Sequence, residues 1–245
     1  MGAQLGLAVH LILAGPPDES NKGNFFLDKL SGAEISHYGK SEYKKNLNSI
    51  LLEWQEHYAA KGSKALIIPT GGSDGLGIWG YIAAAQEISQ DLKRENITES
   101  HVICATGSGG TQAGLSIGAE ICDLPALIWG VNVSDNADYF IRKIKRDFND
   151  LKSRSSGFDN IKLEARVLDG YVGEGYGKAG SIIYELISEL ASLEGIILDP
   201  VYTGKAFHGM IAEIAKGTFS EAKDIIFVHT GGIFGLFASN EGIRA

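Results

Sequence analysis

The stretch Thr106-Gly-Ser-Gly-Gly-Thr111 carries residue types that can hold an anion. Its three glycines let the backbone come close to a bound group. Loop amides and the positive end of a following helix favour negative charge there, and Thr106, Ser108 and Thr111 add hydroxyl donors. The apolar run Val102-Ile-Cys-Ala105 precedes it and Gln112-Ala-Gly-Leu-Ser-Ile-Gly118 follows, so the order reads strand, phosphate-sized loop, helix. Taken alone, the same residues also fit the glycine turn of an ordinary strand-to-helix connection.

Two further segments place polar groups after apolar runs. Asp199-Pro-Val-Tyr-Thr-Gly-Lys205 follows Gly195-Ile-Ile-Leu198 and opens a helix. It reads equally as a ligand cluster of Tyr202, Thr203 and Lys205 and as a turn in which Asp199 satisfies backbone amides. Phe227-Val-His-Thr-Gly-Gly232 repeats the arrangement with His229, Thr230 and paired glycines. A lone His in such a place is more often a hydrogen-bonded structural residue than a catalyst. Gly75-Leu-Gly-Ile-Trp-Gly80 matches the dinucleotide pattern in form only. Six residues separate it from the run Ala65–Ile68, and no acid follows the next strand for a ribose hydroxyl, which argues against NAD. Its glycines then serve a tight turn and close packing, with Ser73 or Asp74 as helix cap. No Ser-His-Asp set or zinc spacing is visible.

The elements that must position these loops alternate. Strand-like runs are expected at Ala8–Leu13, Glu34–His37, Ala65–Ile68, Val102–Ala105, Ala126–Val133, Ile196–Leu198 and Ile225–Val228. Helices are expected at Phe25–Leu30, Glu42–Ala60, Leu76–Gln90, Thr111–Ile121, Asn136–Asn149, Lys178–Leu193 and Lys205–Lys216, with a polar connecting loop at Asp150–Asp159. This order predicts an α/β fold, a parallel sheet covered by helices on both faces, with ligands beyond the strands' carboxyl ends. The start, Met1 to Leu7, reads as the tail of a helix capped by Gly6.

Composition bounds the function. A chain of 245 residues, 44% hydrophobic, can bury a sizeable core. The net charge of −8, with cations interleaved among acids, argues against nucleic-acid binding. No apolar run reaches membrane-span length and no secretory signal is visible, so a soluble cytoplasmic protein is expected. Cys104 and Cys122 read as reduced core or near-core thiols.

Four segments in order resemble one family: Ile68-Pro-Thr-Gly-Gly-Ser-Asp-Gly-Leu-Gly77, Ala105-Thr-Gly-Ser-Gly-Gly-Thr-Gln-Ala-Gly114, Leu198-Asp-Pro-Val-Tyr-Thr-Gly-Lys205 and Val228-His-Thr-Gly-Gly-Ile-Phe-Gly-Leu-Phe237. They are similar to D-cysteine desulfhydrase and its relative 1-aminocyclopropane-1-carboxylate (ACC) deaminase, and the likeness extends from about residue 3 to residue 238. The resemblance implies the tryptophan synthase β-like fold (pyridoxal-phosphate fold type II) with two parallel-sheet α/β domains: residues 1–62 the remainder of an incomplete small domain, and 63–245 the large domain. It implies pyridoxal 5'-phosphate as cofactor, with Thr106, Gly107, Ser108, Gly109, Gly110 and Thr111 at its phosphate and Thr203 at the pyridine nitrogen. Tyr176 and Tyr202 would line the substrate side as the catalytic pair, and His229 and Thr230 would stand at the substrate or just behind it. A small amino-acid substrate and a homodimer follow by the same likeness.

Residue choice within the likeness favours one activity. ACC deaminases carry Glu after the tyrosine of the DPVY motif and Leu after the His of the last strand, whereas this chain has Thr203 and Thr230. A carboxylate keeps the pyridine nitrogen protonated and suits ring opening; a hydroxyl gives a milder sink, adequate for β-elimination of a thiol. The resemblance therefore implies desulfhydrase chemistry, D-cysteine to pyruvate, ammonia and hydrogen sulfide, with ACC deamination or non-catalytic cofactor binding as alternatives. The family's glycine-asparagine-lysine segment, which supplies the lysine that bonds the cofactor's aldehyde, has no counterpart before Ala8. The nearest imitation, Ser20-Asn-Lys-Gly-Asn24, follows the first strand, and Lys22 reads as a solvated loop residue. The expectation is an N-terminally shortened chain, by roughly 60 residues, with impaired turnover.

Overall fold

The structure, a computed structural model, describes residues 2–17, 21–221, 223–239 and 242–243. Met1 and Ser20, both part of readings above, lie outside these. The chain divides into two compact units, Met1–Ile68 and Pro69–Ala245. The division falls a few residues beyond the expected 62/63 boundary. Within the first unit, Gln55 Nε2 donates to the Ala65 carbonyl at 3.0 Å and ties the segment to its own helix.

The first unit holds two parallel strands, β1 (His10–Ala14) and β2 (Glu34–Tyr38), joined through helix α1 (Gly23–Leu30) and followed by helix α2 (Lys40–Ala60). A short 3-10 turn, Ala3–Leu5, ends at left-handed Gly6, the cap expected there. Side chains of α2 grip β1 and β2. His10 packs edge-on against Trp54, Nε2 of His10 meets Ser36 Oγ at 2.9 Å, and Tyr58 Oη lies 3.0 Å from both His10 Nδ1 and Glu34. Lys22 is exposed, as expected.

The second unit is built on a four-stranded parallel sheet in the order β5-β4-β3-β6: β3 (Ser100–Thr106), β4 (Ala126–Asn132), β5 (Arg166–Leu168) and β6 (Asp224–Val228). Every residue of β3 is buried, as a central parallel strand requires. The two faces separate by the two-residue period of a strand. Val102, Cys104 and Ile128 pack with helices α3 (Trp79–Arg94) and α4 (Gly110–Ile121). Ile103, Ala105 and Val131 pack with Ala206 and Met210 of helix α7 (Thr203–Ala215). Helix α5 (Ala137–Arg154) begins at Asn136, whose side chain accepts from the Tyr139 amide at 2.9 Å. Helices α6 (Ser181–Glu194) and α8 (Ile233–Ala238) complete the unit. Burial pushes the Cys104 thiol up to about 12, so it behaves as a small apolar group. Cys122 is half-buried at the end of α4.

Several expectations need correction. Ala65–Ile68 and Ile196–Leu198 are not strands, for neither joins a ladder among the described residues. The polar stretch from Asp150 belongs to α5 as far as Arg154. The edge strand β5 and the short helix α8 were not expected.

Candidate active site

Strands β3 and β6, running parallel in one sheet, deliver the loops at Gly107–Gly109 and His229–Gly232 to the same carboxyl edge. The turn Asp199–Tyr202, at the start of α7, joins them. Its contacts explain three glycines. A side chain at Gly107 would stand 2.7 Å from Tyr202 Cε1, one at Gly110 2.8 Å from Ser73 Oγ, and one at Gly232 2.5 Å from Asp199 Oδ1. Tyr202 thus lies on the phosphate loop, Ser73 stands behind it, and Asp199 packs against the loop that follows β6.

The loop itself is shaped to receive an anion. Gly109 has φ of 90°, a left-handed conformation that favours glycine, and turns the chain into α4. The first amides of α4 have no carbonyl within the helix to accept them. Ser108 and Thr111 are half-buried, and neither hydroxyl is bonded to another described residue. Thr106 differs. Its buried hydroxyl donates to Gln112 Oε1 at 2.8 Å, and Gln112 Nε2 donates to the Arg166 carbonyl at 2.6 Å. That hydroxyl links sheet and helix, so Thr106 shapes the loop through its backbone.

A buried ionic cluster braces the loop from behind. Ser73 Oγ donates to the Ser108 carbonyl at 3.0 Å and lies 3.2 Å from Asp147. Lys143 donates to the Ser73 carbonyl at 2.8 Å and pairs with Asp147 one turn along α5. Burial raises the Asp147 pKa, while Lys143 and Ser73 oppose that rise. Neither Ser73 nor Asp74 caps α3, whose N-cap is Ile78 without a side-chain bond; Asp74 instead accepts from the amides of Leu76 and Gly77 and closes the turn ahead of the helix. Sequence reasoning missed the brace, although the Lys143/Asp147 spacing of four residues on one helix was a usable signal.

Asp199 is almost fully buried and organises the α7 end. Its carboxylate accepts from the amides of Val201, Tyr202 and Thr203 at 2.8–2.9 Å and from Thr203 Oγ1 at 2.7 Å. The Thr203 hydroxyl also accepts from the Asp199 amide at 2.9 Å, which leaves it one lone pair. The turn reading therefore holds: Asp199 makes the turn, with Tyr202 half-buried and Thr203 buried at its end.

The site residues divide by environment. Tyr176 and Tyr202 touch through their hydroxyls, with rings edge-on and 5.8 Å between centroids. Burial, then the Tyr176 hydrogen bond, raises the Tyr202 pKa and keeps its phenol protonated. Tyr176 is 59% exposed. His229 uses both ring nitrogens on backbone: Nε2 bonds the Ile197 carbonyl at 2.9 Å and Nδ1 accepts from the Gly231 amide at 3.1 Å. It holds its own turn, the structural role weighed for it. Thr230 is exposed. Lys205 is not free: its Nζ is buried on two loop carbonyls.

The parallel α/β sheet, with a glycine loop, a hydroxyl tied to Asp199 and paired tyrosines at its carboxyl edge, has the architecture of pyridoxal-phosphate fold type II. The chain belongs to the family described as pyridoxal-phosphate dependent enzymes, whose model matches residues 1–231. A Thermotoga maritima protein provisionally named as an ACC deaminase is 42% identical over 219 residues, 89% of this chain and 67% of that protein. The bifunctional D-cysteine desulfhydrase/ACC deaminase of Arabidopsis thaliana is 35% identical over 242 residues, 95% of this chain and 59% of its own length. The crystal structure of an ACC deaminase homologue superposes with a TM-score of 0.80 at 33% identity, covering 97% of this chain and 70% of that one. The cofactor of the family is pyridoxal phosphate, and the left-handed glycine loop with unspent amides and hydroxyls fits its phosphate. Among the described residues there is no cluster of metal-ligating side chains, and no helix is long and apolar enough to cross a membrane.

Proposed function

We propose that the site performs β-elimination on D-cysteine, which with water gives pyruvate, ammonia and hydrogen sulfide. The observation that carries this reading is Thr203: a hydroxyl tied to Asp199, where the likeness to ACC deaminases calls for a carboxylate. Bound pyridoxal phosphate supplies an electron sink for the charge left when the substrate's α-proton departs. The amides of residues 107–111, with the hydroxyls of Ser108 and Thr111, hold its phosphate. Thr203, whose proton is held by Asp199, offers its remaining lone pair to the protonated ring nitrogen. Tyr176 and Tyr202 bound the substrate side, where Tyr202 holds a proton on Oη across the neutral range and orients the amino acid. His229 holds the turn after β6 through the Ile197 carbonyl and the Gly231 amide, and Thr230, exposed beside it, faces the substrate.

We assign Met1–Ile68 to the small domain of this fold and Pro69–Ala245 to the large one, and expect a homodimer in the cytoplasm. The test is product formation with added pyridoxal phosphate. Sulfide and pyruvate from D-cysteine should form at least about ten times faster than keto acid from ACC, a difference of about 1.4 kcal/mol in barrier. The reverse order overturns the assignment.

A second reading, cofactor binding without turnover, rests on Lys205, the lysine of the Asp199–Lys205 segment, whose Nζ is taken by the carbonyls of Val172 and Gly175. Borohydride reduction and peptide mapping separate the two: a lysine trapped on the cofactor supports turnover, and its lack supports binding alone.

A further inference from the structure

We propose that Lys205 is a positioning residue that holds the glycine-rich loop at Gly170–Gly180 so that Tyr176 meets Tyr202. Tyr171 and Ala179 fix its ends against the core, but between them the loop has little else to hold it. Gly170, Gly173, Gly175 and Gly177 all have positive φ, and a side chain built on any of them would touch nothing within 4 Å. Tyr176 is itself largely exposed, so burial does not anchor it.

Lys205 reaches this loop from the first turn of α7, two residues after Thr203. It is only 1% exposed, and its Nζ donates to the carbonyls of Val172 at 2.7 Å and Gly175 at 2.9 Å. The second is the carbonyl of the peptide bond that enters Tyr176, and it also accepts from the Lys178 amide at 3.2 Å. Burying an ammonium is costly unless its protons are used, and here two carbonyls use two of its three. At the loop's other end, Tyr171 donates to Glu213, further along the same helix. One helix, with Tyr202 at its N-cap, therefore carries Thr203 and both anchors of the segment that brings Tyr176.

The proposal rests on the reading of Tyr176 and Tyr202 as the substrate side; the clamp itself does not depend on it. The experiment compares the whole protein with Lys205→Met and Lys205→Gln by hydrogen exchange. Exchange over residues 172–178 is expected to quicken at least about ten-fold, with β3 and α4 unchanged. The pyridoxal phosphate dissociation constant should rise in Lys205→Met, and that rise should vanish in a Tyr176→Phe background, because Lys205 would act through Tyr176. If Lys205→Met does not fold, Lys205→Gln gives the same comparison. Unchanged exchange over 172–178, or equal quickening throughout the unit, overturns the clamp. A rise that persists without the Tyr176 hydroxyl overturns the positioning role. If the unsubstituted protein binds no pyridoxal phosphate, the cofactor reading fails, while the exchange result still judges the clamp.

Discussion

Two glycine-rich loops face the same site, and their glycines are there for different reasons. At Gly107 and Gly110 a β-carbon would strike Tyr202 and Ser73, so glycine is required for space. At Gly170, Gly173, Gly175 and Gly177 there is space to spare, and glycine is required by positive φ. The first loop is gripped by a sheet, a helix and a buried ion pair. The second hangs from two side chains of one helix. A cradle for a fixed anion suits the first kind of support; a segment that carries a substrate-facing tyrosine suits the second.

The largest effect should come from breaking the brace of the first loop. Lys143 and Asp147 are 13% and 5% exposed in their side chains, so Asp147→Ala would strand a largely buried ammonium and cost about 3 kcal/mol. Urea unfolding would measure that loss, with a fall in cofactor affinity alongside. Gly107→Ala should cost about 1–3 kcal/mol by overpacking against Tyr202 and weaken cofactor binding. Gly173→Ala should cost about 1–2 kcal/mol through backbone strain alone and leave the affinity for the cofactor's phosphate unchanged. If the two alanine variants lose phosphate affinity equally, the distinction between the loops is wrong.

The smallest effect is a contrast outside both loops. Burial lowers the His10 pKa below its ordinary 6.5. Above that value the imidazole is neutral in folded and unfolded chains alike. As pH falls below it, the unfolded chain takes up the proton first, so the first unit loses stability, and the loss is complete below the folded pKa. The urea midpoint of that unit should drop between about pH 7.5 and 5.5, and His10→Asn should abolish the drop.

Much of the phosphate loop was legible in the sequence because its support is local. An apolar run, a glycine run and a helix start follow one another from Val102 to Gly118, and α/β alternation fixes which end faces the ligand. Legibility failed where a partner far along the chain decides. Thr106 looks like a phosphate donor until Gln112 claims its hydroxyl. Ser73 looks like a helix cap until Ser108 and Asp147 take it. Lys205 looks like a free base until the carbonyls of Val172 and Gly175 are brought to it. Ile196–Leu198 has the composition of a strand but no ladder to join, whereas Arg166–Leu168, opening on a charge, pairs with β4. Tyr202 and Thr203 stand out in the sequence only in company, since the turn that Asp199 builds accounts for the segment by itself.

The central claim is that residues 107–111 hold the phosphate of the cofactor. The direct measurement compares binding of pyridoxal 5'-phosphate with that of pyridoxal, which lacks the phosphate, to the intact chain. Several charge-assisted hydrogen bonds at the helix start predict that removing the phosphate weakens binding by at least about 100-fold. Equal affinity for the two compounds would contradict the account.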